Sequence, residues 1–489
     1  MITATQLDTV YFRIDVEDNS IKYEIRDYFT YYDDNYKFSP QYKAGVWDGK
    51  RTLFNRDQKL YYGLIGKLKE FCEENNYSLE IKYLDKEDTL SLNELNEFID
   101  TLNLESNHEK IVPYDYQLNA VKEAINRKRM TLVSPTSSGK SLMIYIYMRY
   151  LLSKSIKVLI IVPSISLIKQ LAADFIDYSS NDKSFSEDTI QTISSGKSKA
   201  VFRNVVISTW QSLTSVDKDW LNQFGCIIND ETHDAKAKVM RSILEQTTEV
   251  TYKLGTTGTL SYVPSHDLIV TGLFGDRYIT KTTKELIDAG QAAELSIECL
   301  VLKYSDKTLA KKCRKFDYSQ ELEFIGSYKK RNELISKLAL KCNGNVLILF
   351  ERISQGKELY DIISNYDRPV YFIDGSVSGE DRESIRTQVN KSNNAIVIAS
   401  YKTTSTGVSI KNLNYVIAAT PTKSMYRLIQ SIGRGLRLAK GKTKVTWFDI
   451  SDTIWTAGQR CNIGQKHFIE RCKIYRSEKH QYNIREVNF

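Results

Sequence analysis

One octapeptide limits what this chain can fold into more than any bulk property does. Ser134-Pro-Thr-Ser-Ser-Gly-Lys-Ser141 follows directly on the apolar run TLV and leads directly into LMIYIYMRYLL, an apolar stretch of helical length. A strand, a tight loop of small residues and a helix N-terminus in that order aim successive backbone N–H groups at one point, and the helix dipole adds positive potential there. The ligand that suits such a point is a phosphate. Pro135, Thr136, Ser137, Ser138 and Gly139 would wrap it, Lys140 would contact the β and γ phosphates of a nucleotide, and Ser141 would offer its hydroxyl to Mg²⁺. The loop departs from G-x-x-x-x-G-K-[ST] at its first position, Ser134, and keeps one glycine, Gly139. Taken alone, it also fits a Ser/Thr turn that caps a helix without any ligand.

The surrounding pattern is α/β. From about residue 130, β-branched apolar runs recur with helical stretches between them: MTLVS, VLIIVPS at 158–164, VVIST at 205–209, CIIND at 226–230 and YKLGTTGT at 252–259. Short continuous apolar runs that end in Ser, Thr, Asp or Gly read as buried parallel strands, with their polar tips at the carboxyl edge where such sheets bind ligands. A second series, NVLILFE, YFIDGS, AIVIASY, YVIAAT and VTWFDIS, begins near residue 345. Two α/β lobes are therefore expected, at 109–290 and 291–489. Residues 1–108 differ, with polar aromatic-rich strands around YFRID and YYDDNYKFSP, a WDGKRTLF turn and a helix near 63–76, and read as a separate small α+β domain. The tail RCKIYRSEKHQYNIREVNF reads as a closing helix and strand.

Composition narrows the class only mildly. The 68 Lys+Arg against 60 Asp+Glu leave a formal +8, compatible with phosphate-rich partners and also common in proteins that never meet them. No stretch is long and apolar enough to suggest a membrane span, so a cytoplasmic protein is expected. The 7 cysteines are scattered and never form C-x-x-C, which argues against both disulfides and zinc. No further carboxylate cluster with metal-site spacing accompanies the loop, so an attached nuclease is not expected.

About ninety residues after the loop, CIIND-Glu231-Thr-His233 sets two carboxylates at a strand end. Asp230 is suited to holding Mg²⁺ and Glu231 to orienting or deprotonating an attacking water. At this point SPTSSGKS, VPSISLIKQ, STWQS, NDETH, GTTGT, ASYKTTSTGVS and QSIGRGLR fall in the order and spacing of the motifs of superfamily 2 helicases, over about residues 112–440. With PYDYQ and the N-terminal Trp47-Asp48-Gly49-Lys50, the chain most resembles the phage UvsW group of DNA helicases.

That resemblance implies two tandem RecA-like P-loop lobes beside an N-terminal DNA-recognition domain, with ATP and Mg²⁺ as cofactors. It implies adenine reading by Tyr116 and Gln117, coupling through Thr257 and Thr259, and a fifth motif at Gly407 and Ser409. Gln430, Arg434 and Arg437 would complete catalysis; the two arginines, at i and i+3, share a helix face and can reach one point, where one neutralises charge on the γ-phosphoryl. Nucleic-acid contacts are expected at Ser164 and Lys169, Thr209 and Gln211, Ser400 and Thr404, where hydroxyls and backbone N–H groups can grip phosphates without reading sequence. In the N-terminal segment Lys43, Trp47, Lys50, Arg51 and Lys67 are expected to touch DNA by charge and stacking. The implied activity is unwinding and branch migration of forks, displacement loops and four-way junctions by a monomer. An RNA helicase, a duplex translocase without branch preference and an ATP-gated clamp that does not unwind remain open alternatives.

Overall fold

The computed structural model describes residues 1–33, 36–84, 89–194, 196, 198–232, 237–258, 264–405, 410, 412–422, 428, 431–433, 435–436, 442–454, 456–457 and 460–488. It divides into two compact units, one of residues 1–134 and 139–280, the other of 281–489 with 135–138.

The first unit is built on a seven-stranded sheet in the order Ile190–Ile193, Val205–Thr209, Val158–Val162, Cys226–Asp230, Tyr252–Thr257, Arg129–Val133, Arg277–Ile279. Every pairing in it is parallel. Central strands such as Val158–Val162 are buried at all 5 positions, which is why they read as unbroken apolar runs rather than alternating ones. The flanking strands IQTI and RYI were not expected; they are short, half-polar and held by pairing to one neighbour each.

The N-terminal segment has its own four-stranded sheet, ordered Lys59–Tyr61, Tyr11–Val16, Ile2–Gln6, Leu79–Lys82, with Ile65–Glu74 as a helix beside it. Its core, however, is continuous with that of the seven-stranded sheet: Phe12, Ile14, Leu60 and Leu68 belong to one buried cluster with Leu159, Ile161, Ile227 and Phe274. The segment completes its core on its neighbour. Polar clamps hold the seam. Thr9 Oγ1 donates to the Thr247 carbonyl at 2.8 Å, Lys253 Nζ donates to the carbonyls of Thr247 and Thr9 at 3.0 and 3.3 Å, and the Tyr61 hydroxyl donates to the Glu245 carboxylate. The Arg129 guanidinium lies 4.1 Å from the centre of the Tyr62 ring. Burial, aided by the nearby Arg129 charge, holds the Lys253 amine well below the ordinary lysine pKa. Gly63 is obligatory here because a β-carbon would strike the Thr271 carbonyl oxygen.

The second unit repeats the plan with seven parallel strands ordered Val370–Ile373, Ile396–Ser400, Val346–Phe350, Tyr415–Ala418, Lys444–Thr453, Glu294–Lys303, Tyr482–Asn488. The tail forms the expected helix, Ile463–Ser477, and strand. Glu294–Lys303 was absent from the expected series because its burial alternates instead of forming an unbroken apolar run. The tail helix is pinned by a bidentate pair, Arg471 to Asp449 at 2.8 and 2.7 Å, and Tyr475 donates to the same carboxylate at 2.8 Å. The pair is almost wholly enclosed, with side-chain exposures of 3% and 1%. Among the described residues no helix is long and apolar enough to cross a membrane, no cysteine is bridged, and no group of three His, Cys, Asp or Glu is placed to hold a metal.

Arg471→Leu strands the Asp449 carboxylate in the core and is expected to cost the second unit about 3–5 kcal/mol. Hydrogen exchange along 444–453 should report that loss, and Arg471→Leu with Asp449→Leu should recover much of it.

Candidate functional site

The loop 134–139 is set by the sheet edge. Ser134 N–H donates to the Thr257 carbonyl at 2.9 Å, extending the ladder by one residue, and its hydroxyl meets Thr280 Oγ1 at 3.1 Å, so the serine in place of the usual glycine is tucked into the sheet. Ser138 closes the turn onto the Pro135 carbonyl through its N–H at 3.2 Å and its hydroxyl at 2.7 Å. Ser137 and Gly139 have φ of 75° and 77°, in the left-handed region; for Ser137 this strain is on the order of 1 kcal/mol. Gly139 has a second reason to be glycine, since a β-carbon there would collide with Gln117 Nε2. Helix Lys140–Ser153 starts immediately after it.

Strand register brings the acidic pair to the lysine. Asp230 pairs with Thr256 and Thr257 with Val133, so the strand end that carries Asp230 lies one strand away from the strand that feeds the loop. Lys140 Nζ reaches Asp230 Oδ1 at 3.1 Å and Glu231 Oε1 at 3.2 Å. Burial alone would depress the Lys140 ammonium, but the charges of Asp230 and Glu231 and the hydrogen bonds to both outweigh it, and its pKa rises above the ordinary lysine value. Glu231 takes a left-handed φ of 57°, and its N–H donates to Asp230 Oδ1 at 3.1 Å, a turn that folds the second carboxylate back toward the lysine. Thr256 Oγ1 donates to Asp230 Oδ1 at 2.5 Å. This residue was missed in the sequence, where Thr257 and Thr259 drew attention; only the cross-strand register shows which threonine faces the aspartate. Ser141 is not joined to Asp230. Its hydroxyl meets the Tyr178 hydroxyl at 2.8 Å. One hydroxyl and two carboxylates around the loop are hard oxygen donors, a set that fits magnesium held together with phosphate oxygens and water.

The remaining expected residues divide by environment. Gln117 is buried, and its amide oxygen accepts the Tyr114 N–H at 2.9 Å, capping the helix Asp115–Arg127; Tyr116 stacks on Tyr114 with ring centroids 5.7 Å apart. Burial pushes the Tyr116 hydroxyl up to about 12. Ser164 caps helix Ile165–Tyr178 by accepting the Leu167 N–H at 3.4 Å, while Lys169 on that helix is exposed. Thr209 is buried against Ser212 at 2.9 Å, and Gln211 is exposed. Ser400 bonds Thr403 at 2.7 Å at the start of the helix Tyr401–Ser405, whose backbone includes Thr404. His233, Thr259, Gly407, Ser409, Gln430, Arg434 and Arg437 lie outside the described residues.

In the N-terminal segment, strands Thr30–Tyr32 and Lys50–Thr52 pair antiparallel and carry a loop dense in rings and cations. Half-buried Trp47 donates Nε1–H to the Lys50 carbonyl at 2.8 Å, with the Arg51 guanidinium 5.3 Å from its ring centre. Lys50 lies 5.5 Å from the Tyr32 ring and Lys37 5.7 Å from the Tyr36 ring. Phe38 and Val46, at 77% and 79% exposure, stand almost fully in solvent. Lys43 is exposed on the short helix Pro40–Lys43, and Lys67 sits apart on helix Ile65–Glu74.

A phosphate-binding loop whose lysine is held by an Asp-Glu pair, on one of two seven-stranded parallel α/β sheets, defines a nucleotide-hydrolysing motor of the helicase class. Family profiles agree along the chain: residues 2–82 match DNA helicase UvsW, N-terminal; 110–262 match Type III restriction enzyme, res subunit; and 329–439 match Helicase conserved C-terminal domain. The ATP-dependent DNA helicase uvsW of Enterobacteria phage T4 is 35% identical over 499 residues, covering 98% of each chain. The crystal structure of T4 UvsW superposes with a TM-score of 0.53 at 32% identity, covering 100% of this chain and 99% of that one. The DNA-bound Type ISP restriction-modification enzyme LlaBIII, with a TM-score of 0.57 at 15% identity over 86% of this chain and 34% of that one, shares the fold alone. The chain belongs to the UvsW family of superfamily 2 ATP-dependent DNA helicases.

Thr256→Val removes a donor to an ionised carboxylate, an interaction worth about 1.5–3 kcal/mol. ATP turnover is expected to fall about 10- to 100-fold, measured by steady-state phosphate release with circular dichroism as the folding control.

Proposed function

We propose that this helicase unwinds and branch-migrates forked, displacement-loop and four-way-junction DNA in recombination and replication-fork repair, acting as a monomer in the host cytoplasm. The observation that carries the reading is the ring-and-cation loop of residues 30–52, which an ATP-driven motor does not need for hydrolysis and which suits a nucleic-acid surface. In this reading residues 1–108 recognise DNA, 109–290 bind ATP and 291–489 form the second motor lobe. Trp47 and Lys50, with Lys43, Arg51 and Lys67, meet the junction, and Ser164, Lys169, Thr209, Gln211, Ser400 and Thr404 grip the tracked strand through its phosphates.

Hydrolysis follows from the site's chemistry. Lys140 leaves its carboxylate partners for the β and γ phosphates, as a cation in a dry site is worth most on the charge that develops there. Glu231 then orients and deprotonates water, and Tyr116 and Gln117 read the adenine. Ser141 and Asp230 would hold Mg²⁺, which would offset the negative charge of the phosphates. By the family's motif pattern Gln430 and Gly407 would take part in the same hydrolysis, and Arg434 or Arg437 would supply the finger, worth on the order of 10³–10⁵ in rate.

ATP hydrolysis with single strand, duplex, RNA, fork and four-way junction, beside Lys140→Ala, tests this. Greatest stimulation by branched DNA, with junction unwinding lost in Lys140→Ala, is the expected result; stimulation by RNA alone, or equal stimulation by unbranched duplex, would sink the branch reading. Lys50→Ala should weaken fork binding and lower the slope of log affinity against log salt by about 1, read by fluorescence anisotropy.

A further inference from the structure

The hydroxyl contact between Ser141 and Tyr178 has no part in the activity described so far. Ser141 sits in the first turn of helix Lys140–Ser153, and Tyr178 is the last residue of helix Ile165–Tyr178. Their oxygens are 2.8 Å apart, and either hydroxyl can donate.

Tyr178 is held firmly in that place. Its ring packs on Tyr145, one turn beyond Ser141, with centroids 5.6 Å apart, and Tyr145 packs in turn on Phe175 and Phe185. The preceding residue, Asp177, accepts the Ser106 hydroxyl at 2.5 Å and the Asn107 N–H at 3.1 Å. The helix end that carries Tyr178 is therefore fixed from two sides.

A serine hydroxyl has one proton and two lone pairs, so to offer a lone pair to a cation it must place its proton elsewhere. A fixed acceptor for that proton orients the ligand and raises its basicity, as outer partners of metal ligands do. We propose that Tyr178 is the positioning residue for Ser141: its phenol oxygen accepts the Ser141 proton and turns the serine lone pair toward the Mg²⁺ of the bound nucleotide. This rests on the reading that Ser141 holds that ion. Nothing in the octapeptide signals it, because the partner lies 37 residues away.

Tyr178→Phe keeps the ring and its packing and removes only the oxygen. The probe is N-methylanthraniloyl-ADP, titrated onto the full chain in EDTA and then across a Mg²⁺ series, for wild type, Tyr178→Phe, Ser141→Ala and the double variant; the Mg²⁺ concentration for half-maximal ATP hydrolysis is measured alongside. Tyr178→Phe is expected to raise the Mg²⁺ requirement about 10- to 100-fold with affinity in EDTA unchanged, and the double variant to be no worse than Ser141→Ala. An unchanged Mg²⁺ requirement in Tyr178→Phe, beside a raised one in Ser141→Ala, overturns the inference. So does an equal loss of affinity in EDTA, which would mark Tyr178 as packing for the loop. An unchanged requirement in Ser141→Ala overturns instead the reading on which it rests.

Discussion

The Lys140 ammonium, set between Asp230 and Glu231 at 3.1 and 3.2 Å, is the contact around which the first unit is organised. A buried cation without partners would give up its proton or unfold its surroundings. Here two carboxylates keep it charged, and they reach it only because parallel register carries Asp230 to the same sheet edge as the loop. Left-handed backbone at Ser137 and Glu231 is the local cost of turning both chains toward one point. In the hydrolysis proposed for this site, a nucleotide's phosphates would displace those carboxylates, so binding would trade one set of charge partners for another instead of desolvating a cation afresh.

The same unit explains why the N-terminal segment belongs mechanically to the motor. Its sheet shares one apolar cluster with Leu159, Ile161 and Ile227, strand residues of the sheet that bears the loop. Lys253, whose strand also supplies Thr256, ties the seam by donating to carbonyls on both sides of it. A surface carried by the strands Thr30–Tyr32 and Lys50–Thr52 is thus attached, through packed side chains, to the sheet that bears the loop.

The chemistry was legible early because it is local. A strand, the loop SPTSSGKS and a helix follow one another in the chain, and the Asp230-Glu231 pair closes an apolar run, so periodicity and residue type alone placed these groups at strand ends. Two parallel lobes were legible for the same reason: strands buried on both faces have no choice but to be continuously apolar. The flanking strands IQTI and RYI, and the alternating ELSIECLVLK, escaped because shallow burial leaves no such signature.

What the order of residues determined by itself is therefore the class of ligand and the architecture that holds it. Tertiary structure decided the rest through contacts between residues remote in the chain. It chose Thr256 rather than its neighbour to face Asp230, since side chains alternate across a strand and only register selects the face. It brought Tyr178 to Ser141, and it merged the N-terminal core with the first sheet, where the sequence suggested a separate domain. Each of these outcomes depends on where two elements pack, and packing is a property of summed surfaces that no single segment encodes.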